Sequence, residues 1–106
     1  IEVAQAHGVA VEIVPLTRRN YLSVLEPRLA AGDFLLNLSV DVSSVALLEL
    51  TQRLGVMYLD TCIEPWAGGY LDARLPPAAR TNYALRETAL ALRKPGQTGP
   101  TAILTH

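Results

Sequence analysis

Apolar residues follow two alternating patterns along this chain: short continuous runs, and longer stretches with helical spacing. The runs are rich in leucine and β-branched residues and predict four strands, near Val9–Val14, Phe34–Leu38, Val56–Asp60 and Thr101–Leu104. Strands that are almost entirely apolar are typical of a parallel sheet with helices on both faces.

Helical spacing predicts three helices between these strands, from Arg18 to about Ala31, from about Ser43 to Leu54 and from about Arg80 to Arg93. Thr17 is suited to cap the first helix, and either Ser43 or Ser44 the second. Pro27 predicts a kink or a break inside the first helix, because proline removes a backbone donor and clashes with the preceding turn. A Pro- and Gly-rich loop from Thr61 to about Ala79 interrupts the alternation.

This order of elements predicts an α/β fold with right-handed crossovers and a doubly wound parallel sheet. The chain starts at Ile1, its only methionine is Met57, and it ends on the apolar run Thr101–His106. Ile1–Gly8 has the pattern of the last turns of a helix closed by glycine. We therefore expect the chain to be an internal piece of a larger α/β enzyme.

The composition of the chain argues against some classes of binding partner. Half of the residues are hydrophobic, which suits a packed core, and the net charge is only −1. The chain has no basic run of the kind that binds nucleic acid, and no apolar stretch near the roughly 20 residues that span a bilayer. The single Cys62 cannot form an internal disulfide. We expect a cytoplasmic protein without nucleic-acid or membrane partners.

Polar residues follow three of the predicted strands, and ligands of open parallel sheets bind at that edge. Most of these residues have ordinary explanations, since Thr17 and the serines are suited to cap helices, and Asn37 and Asp41 are common loop formers. Glu64 differs, because its carboxylate stands between Ile63 and Pro65 and is costly to desolvate without a positive partner. That partner is either a cationic ligand group or a structural arginine.

Four strings resemble the bacterial homospermidine synthases of the saccharopine dehydrogenase-like group: NLSVDVSSVALLEL, YLDTCIEPWAGGY, TNYALRETALALR and GPTAILTH. DTCIEPWAGGY is long and unusual, whereas the NLSVD pattern alone indicates only the wider group. The resemblance implies NAD as cofactor and putrescine or a related diamine as substrate. An amine carbon is oxidised by hydride transfer to NAD and ammonia leaves; a second putrescine then forms an imine, which the stored hydride reduces to homospermidine.

The resemblance also implies site residues at matching positions. The cofactor-binding positions are Thr17, Leu38, Ser39, Val40 and Thr61, on loops after the third, fourth and fifth strands of a Rossmann sheet. The catalytic positions are Glu64, which matches a carboxylate facing the substrate's ammonium, and Asp41, which assists it. No metal is implied.

The Gly-rich cofactor turn, the acidic residue that holds the adenosine ribose and a substrate domain are absent from these residues. Residues 1–106 are therefore expected to form an incomplete NAD-binding Rossmann-type domain that lacks the first two strands and is inactive alone. Two alternatives stay open: another saccharopine dehydrogenase-like oxidoreductase, such as one forming carboxynorspermidine, and a non-catalytic α/β module. Homo-oligomer formation by the full-length enzyme is also left open.

Overall fold

The structure is a computed structural model and describes residues 1–105. Its regular elements are α1 (Glu2–Ala6), α2 (Tyr21–Leu25), β1 (Phe34–Asn37), α3 (Ser44–Leu54), β2 (Met57–Asp60), α4 (Asn82–Ala91) and β3 (Ala102–Ile103). Short 3₁₀ turns add Glu26–Arg28, Gly69–Leu71 and Pro77–Arg80. Among the described residues, no helix is long and apolar enough to cross a membrane.

The three strands form one parallel sheet in the order β1-β2-β3. The register places Asn37 beside Asp60, and Tyr58 beside Ala102. Helix α3 connects β1 to β2, and α4 connects β2 to β3, which is the connection that parallel neighbours need. The predicted α/β fold with a parallel sheet is therefore confirmed.

Helix α3 shows why sequence pattern and structure agree in this part of the chain. The Ser43 side chain accepts a hydrogen bond from the Ala46 N–H at 3.1 Å, which caps the amino end. Gly55 ends the helix in the left-handed conformation with φ 74°, where a Cβ would be strained. Leu47, Leu48 and Leu50 are buried along one side.

Two predicted elements differ from the structure. The predicted strand at Val9–Val14 is wrong, because this segment pairs with no strand and Ile13 is 76% exposed. A β-branched run forms a strand only where a neighbour completes its hydrogen bonds, and the three described strands pair with each other instead. The helix predicted over Arg18–Ala31 is shorter: α2 ends at Leu25, and a 3₁₀ turn containing Pro27 follows.

The sheet has two unlike faces. On the covered face, Leu35, Asn37, Tyr58, Asp60 and Ala102 point toward the helices, and the core joins Tyr58 to Leu47 and Leu48 of α3 and to Ala89 of α4. On the open face, Phe34, Leu36, Met57 and Ile103 are between 39% and 54% exposed. Because side chains alternate along a strand, each strand contributes to both faces. The carboxyl ends of all three strands meet at one edge, where the predicted site residues lie.

Candidate functional site

The loop after β1 exposes its apolar side chains but is tied down by its polar ones. Leu38 is 65% exposed and Val40 is 71% exposed. Ser39 donates twice to Asn37 Oδ1, from its backbone N–H at 3.0 Å and from its Oγ–H at 2.5 Å. Since one buried amide oxygen accepts both bonds, the path of residues 38–40 depends on the orientation of that amide.

Behind this loop, a buried chain of hydrogen bonds crosses the carboxyl edge of the sheet. Asn37 Nδ2 donates to Tyr58 Oη at 3.0 Å, and the Tyr58 hydroxyl donates to Asp60 Oδ2 at 3.1 Å. Asp60 Oδ1 accepts from the Thr105 N–H at 2.9 Å. Asn37, Tyr58 and Asp60 are 6%, 1% and 0% exposed, so none of these groups can exchange its partner for bulk water.

Burial keeps the Tyr58 hydroxyl in its protonated form. Burial is the main cause that raises the pKa of Tyr58 to about 12, and hydrogen bonds from Asn37 and Ser44 partly oppose it. The nearby Asp60 carboxylate raises the pKa further, because a phenolate would face a like charge. At neutral pH, Tyr58 therefore accepts from Asn37 and donates to Asp60.

Glu64 is held by its backbone against the start of α3. Its N–H donates to Ser44 Oγ at 2.9 Å, and its carbonyl accepts from the Ser44 N–H at 2.9 Å. Ser44 is fully buried, so this pair of bonds fixes where the chain goes after β2. Of the two predicted helix caps, Ser43 caps α3, and Ser44 instead holds Glu64.

Glu64 is half-buried, and its carboxylate forms no ion pair within residues 1–105. Its neighbours are Cys62 and Tyr70. Burial first, and then the Glu64 charge, raise the pKa of the Cys62 thiol, and the same two causes raise the pKa of Tyr70. The structural arginine that would explain Glu64 without a ligand is thus absent from the described part of the chain.

Thr17 and Asp41 lie together in a cleft of about 640 Å³, and Tyr70, the neighbour of Glu64, lines the same cleft. Trp66 and Arg80 also line it, whereas Leu38, Ser39, Val40, Thr61 and Glu64 do not. Trp66 packs against Tyr21 of α2 with ring centroids 5.1 Å apart, which fixes this wall of the cleft to the helix. The Arg80 Nε is buried without a hydrogen-bond partner.

Backbone contacts shape both predicted residues of the cleft. Asp41 has a left-handed backbone with φ 64°, a conformation that aspartate tolerates better than most residues, and its carbonyl accepts from the Ala67 N–H at 3.2 Å. Thr17 Oγ1 accepts from the Asn20 N–H at 3.3 Å, while Asn20 Oδ1 accepts from the Thr17 N–H at 2.7 Å. Thr17 therefore closes the turn before α2, but the N-cap of that helix is Asn20, so the predicted cap at Thr17 is wrong.

The predicted site residues thus form two groups. Ser39 and Glu64 are anchored by buried polar residues at the sheet edge, and Thr17 and Asp41 line the cleft, while Thr61 is exposed. Sequence reasoning missed Tyr58 and did not distinguish Asn37 and Asp60 from ordinary polar residues at the ends of strands. Their signal is an amide, a phenol and a carboxylate inside otherwise apolar strands. Residues 1–105 contain no group of three or more His, Cys, Asp and Glu side chains that could hold a metal ion.

Comparison with known proteins identifies one matching family and relatives that share one name. The family described as "Saccharopine dehydrogenase NADP binding domain" matches residues 1–103. The homospermidine synthase of Blastochloris viridis is 48% identical over 105 residues, and that of Mesorhizobium japonicum is 46% identical over 103 residues. These alignments cover 96% and 92% of this chain but only 22% and 21% of those proteins, so the chain spans about a fifth of their length.

A solved structure is similar over the whole chain. The crystal structure of homospermidine synthase from Legionella pneumophila in complex with NAD matches with a TM-score of 0.78 and 37% sequence identity. The match covers 100% of this chain and 20% of that protein.

Proposed function

The chain belongs to the saccharopine dehydrogenase NADP binding domain family, and from this premise we propose that it is part of an NAD-dependent homospermidine synthase. The reaction condenses two putrescine molecules to homospermidine and releases ammonia. The observation that carries this proposal is the match of the entire chain, at 37% identity, to a homospermidine synthase solved with NAD. The two homospermidine synthases at 46% and 48% identity support the same activity.

The residues at the sheet edge fit one part of an NAD site. Leu38 and Val40 present apolar surface, and the backbone between them is held by a buried amide, so a flat ring can rest on a fixed support. Thr61 follows the neighbouring strand, and Thr17 closes the turn before α2. The chemistry that NAD supplies when bound is reversible hydride acceptance, while the protein supplies binding and orientation.

Glu64 supplies the charge that recognises the diamine. A carboxylate on a half-buried residue is costly without an internal cation, and an ammonium group of the substrate removes that cost by forming a charge-assisted hydrogen bond. Asp41 provides a second carboxylate on the loop after β1. In this proposal, Glu64 holds the ammonium near the nicotinamide side of the cofactor and Asp41 assists it.

The remaining features follow from this assignment. We propose that residues 1–106 form an incomplete Rossmann-type domain whose Gly-rich turn and substrate domain belong to other parts of a longer enzyme. That enzyme is cytoplasmic and has a small diamine, not nucleic acid or a membrane, as its partner. A homo-oligomer is compatible with this proposal.

The test is Glu64→Gln in the full-length enzyme, with Glu49→Gln on the exposed side of α3 as the matched control. Glutamine keeps the size and removes the charge. Since a hydrogen bond to a charged group contributes roughly 1.5–3 kcal/mol, kcat/KM for putrescine should fall by about 10- to 100-fold. NAD affinity, followed by fluorescence titration, should change little, and Glu49→Gln should resemble the wild type in both measurements.

Two results would contradict the proposal. Normal putrescine turnover by Glu64→Gln would make Glu64 structural, and a large loss of NAD affinity alone would move it into the cofactor site. An enzyme that yields no homospermidine with putrescine as sole amine would instead belong to another oxidoreductase of the family, such as one forming carboxynorspermidine.

A further inference from the structure

We propose that Tyr58 is a positioning residue for cofactor binding: its hydroxyl, directed by Asp60, fixes the Asn37 amide that holds the loop of residues 38–40. This inference rests on the proposed function, because it assigns that loop to the NAD site. Under this inference, the buried residues Asn37, Tyr58 and Asp60 contribute to cofactor binding from the covered face. Tyr58, only 1% exposed, acts without touching the cofactor.

The hydrogen bonds of these buried residues converge on the Asp60 carboxylate. Asp60 is buried and accepts from both the Thr105 N–H and the Tyr58 hydroxyl, so its two oxygens act only as acceptors. The Tyr58 proton therefore points to Asp60, and the oxygen of Tyr58 is left to accept. Asn37 Nδ2 donates to that oxygen at 3.0 Å.

This direction determines which end of the Asn37 amide faces the loop. With Nδ2 bound to Tyr58, Oδ1 is presented to Ser39, whose N–H and Oγ–H both need an acceptor. A flipped amide would place its NH₂ group opposite the Ser39 N–H and lose that bond, and Ser39 Oγ would have to change from donor to acceptor. The path of the loop between Leu38 and Val40 thus depends on a hydroxyl one strand away.

Tyr58→Phe removes this control with little change in volume. Asn37 Nδ2 loses its acceptor and Asp60 Oδ2 loses its donor, in a site closed to water. The amide can then rotate, and the loop becomes free to adopt other paths. We expect NAD affinity in the full-length enzyme to fall about tenfold, the size that a lost buried hydrogen bond produces in an equilibrium constant.

Thr51→Val provides a control from the buried core. Thr51 is as buried as Tyr58, but its hydroxyl donates to the Leu48 carbonyl within α3 and does not hold the loop after β1. A merely structural role would give both variants the same defect. The proposal instead predicts that Tyr58→Phe raises mainly the KM and Kd for NAD, with kcat within about threefold of wild type, whereas Thr51→Val leaves the KM and Kd for NAD unchanged.

Ser39→Ala completes the test by a double-mutant cycle. It removes only the Oγ–H bond to Asn37 Oδ1, at an exposed position where folding is not at risk. Because Ser39 and Tyr58 act through the same amide, the loss of NAD affinity caused by Ser39→Ala should be smaller in the Tyr58→Phe background than in the wild type. Tyr83→Phe, 75% exposed on α4, is the neutral tyrosine control.

The outcomes separate this inference from the proposed function. An enzyme without any putrescine turnover would overturn the function itself. An active enzyme in which Tyr58→Phe binds NAD as the wild type does, or in which the two substitutions add independently, would overturn the positioning role. If Tyr58→Phe does not fold, Ser39→Ala alone decides: unchanged NAD affinity would show that the tether to Asn37 has no effect on the cofactor.

Discussion

The two faces of the sheet are built from the same three strands but do different things. On the covered face, Tyr58 and Asp60 are almost fully buried and join the core to the polar edge, while on the open face Phe34 and Ile103 are each 54% exposed. Parallel sheets are normally covered on both faces, and this chain supplies helices to one. The difference shows that stability and the predicted site both depend on the covered side, where packing and hydrogen bonding meet.

The largest expected loss of stability comes from replacing a leucine on the covered side, and a leucine on the open face is its control. Leu47→Ala in α3 removes a side chain that is 3% exposed, and should lower the free energy of unfolding by about 2–5 kcal/mol through lost burial and a residual cavity. Leu36→Ala on the open face, where the side chain is 49% exposed, should cost less than half as much. Denaturant unfolding of both variants measures this, and equal losses would break the comparison.

The covered side is also the part of the fold that the sequence predicts best. Helix α3 carries its own signals, a serine cap and a closing glycine, and these act within a few residues. Val9–Val14 has the composition of a strand but does not form one, because a strand also needs a neighbouring strand to pair with. The pattern of a single segment does not reveal whether such a neighbour is present.

In the candidate site, too, some residues could be predicted from the sequence and others could not. Resemblance predicts Ser39 and Glu64 as site residues, but the groups that hold them in place could not be predicted from the sequence. Asn37 and Tyr58 are 21 positions apart. Their side chains meet because β1 and β2 lie side by side in this parallel register. Ser44 and Glu64, 20 positions apart, meet because the loop after β2 returns to the start of α3.

A second prediction uses pH to test the burial of Tyr58. Its pKa is raised from 10 to about 12 in the folded chain, so the native state holds this proton more tightly than the unfolded state does. The resulting stabilisation is complete below about pH 10 and is lost as the pH rises toward about 12; two pKa units correspond to about 2–3 kcal/mol.

Denaturant unfolding across this alkaline range measures the effect. Tyr58→Phe should remove that share of the pH dependence, and Tyr83→Phe should leave it unchanged. An alkaline loss of stability that is identical in the wild type and in Tyr58→Phe would show that the Tyr58 hydroxyl is not protected by the covered face.

The smallest expected change in folding stability comes from a matched pair of substitutions to threonine, one on each face. Val56→Thr places a hydroxyl at a position with 0% exposure and should destabilise the fold by about 1–3 kcal/mol. Ile103→Thr keeps β-branching at a half-exposed position and should cost less than about 1 kcal/mol. Thermal unfolding ranks the two, and the reverse order would mean that the open face is the better packed one.

The most direct test of the central claim follows deuterium through the full-length enzyme. Putrescine that is fully deuterated at both amine-bearing carbons is the sole amine, NAD is present in catalytic amount, and the product is examined by mass spectrometry. Because the proposed reaction returns the same hydride that it removes, we predict homospermidine that retains every deuterium, without accumulation of reduced cofactor. Product with one deuterium fewer, steady accumulation of reduced cofactor, or no homospermidine at all would contradict the account.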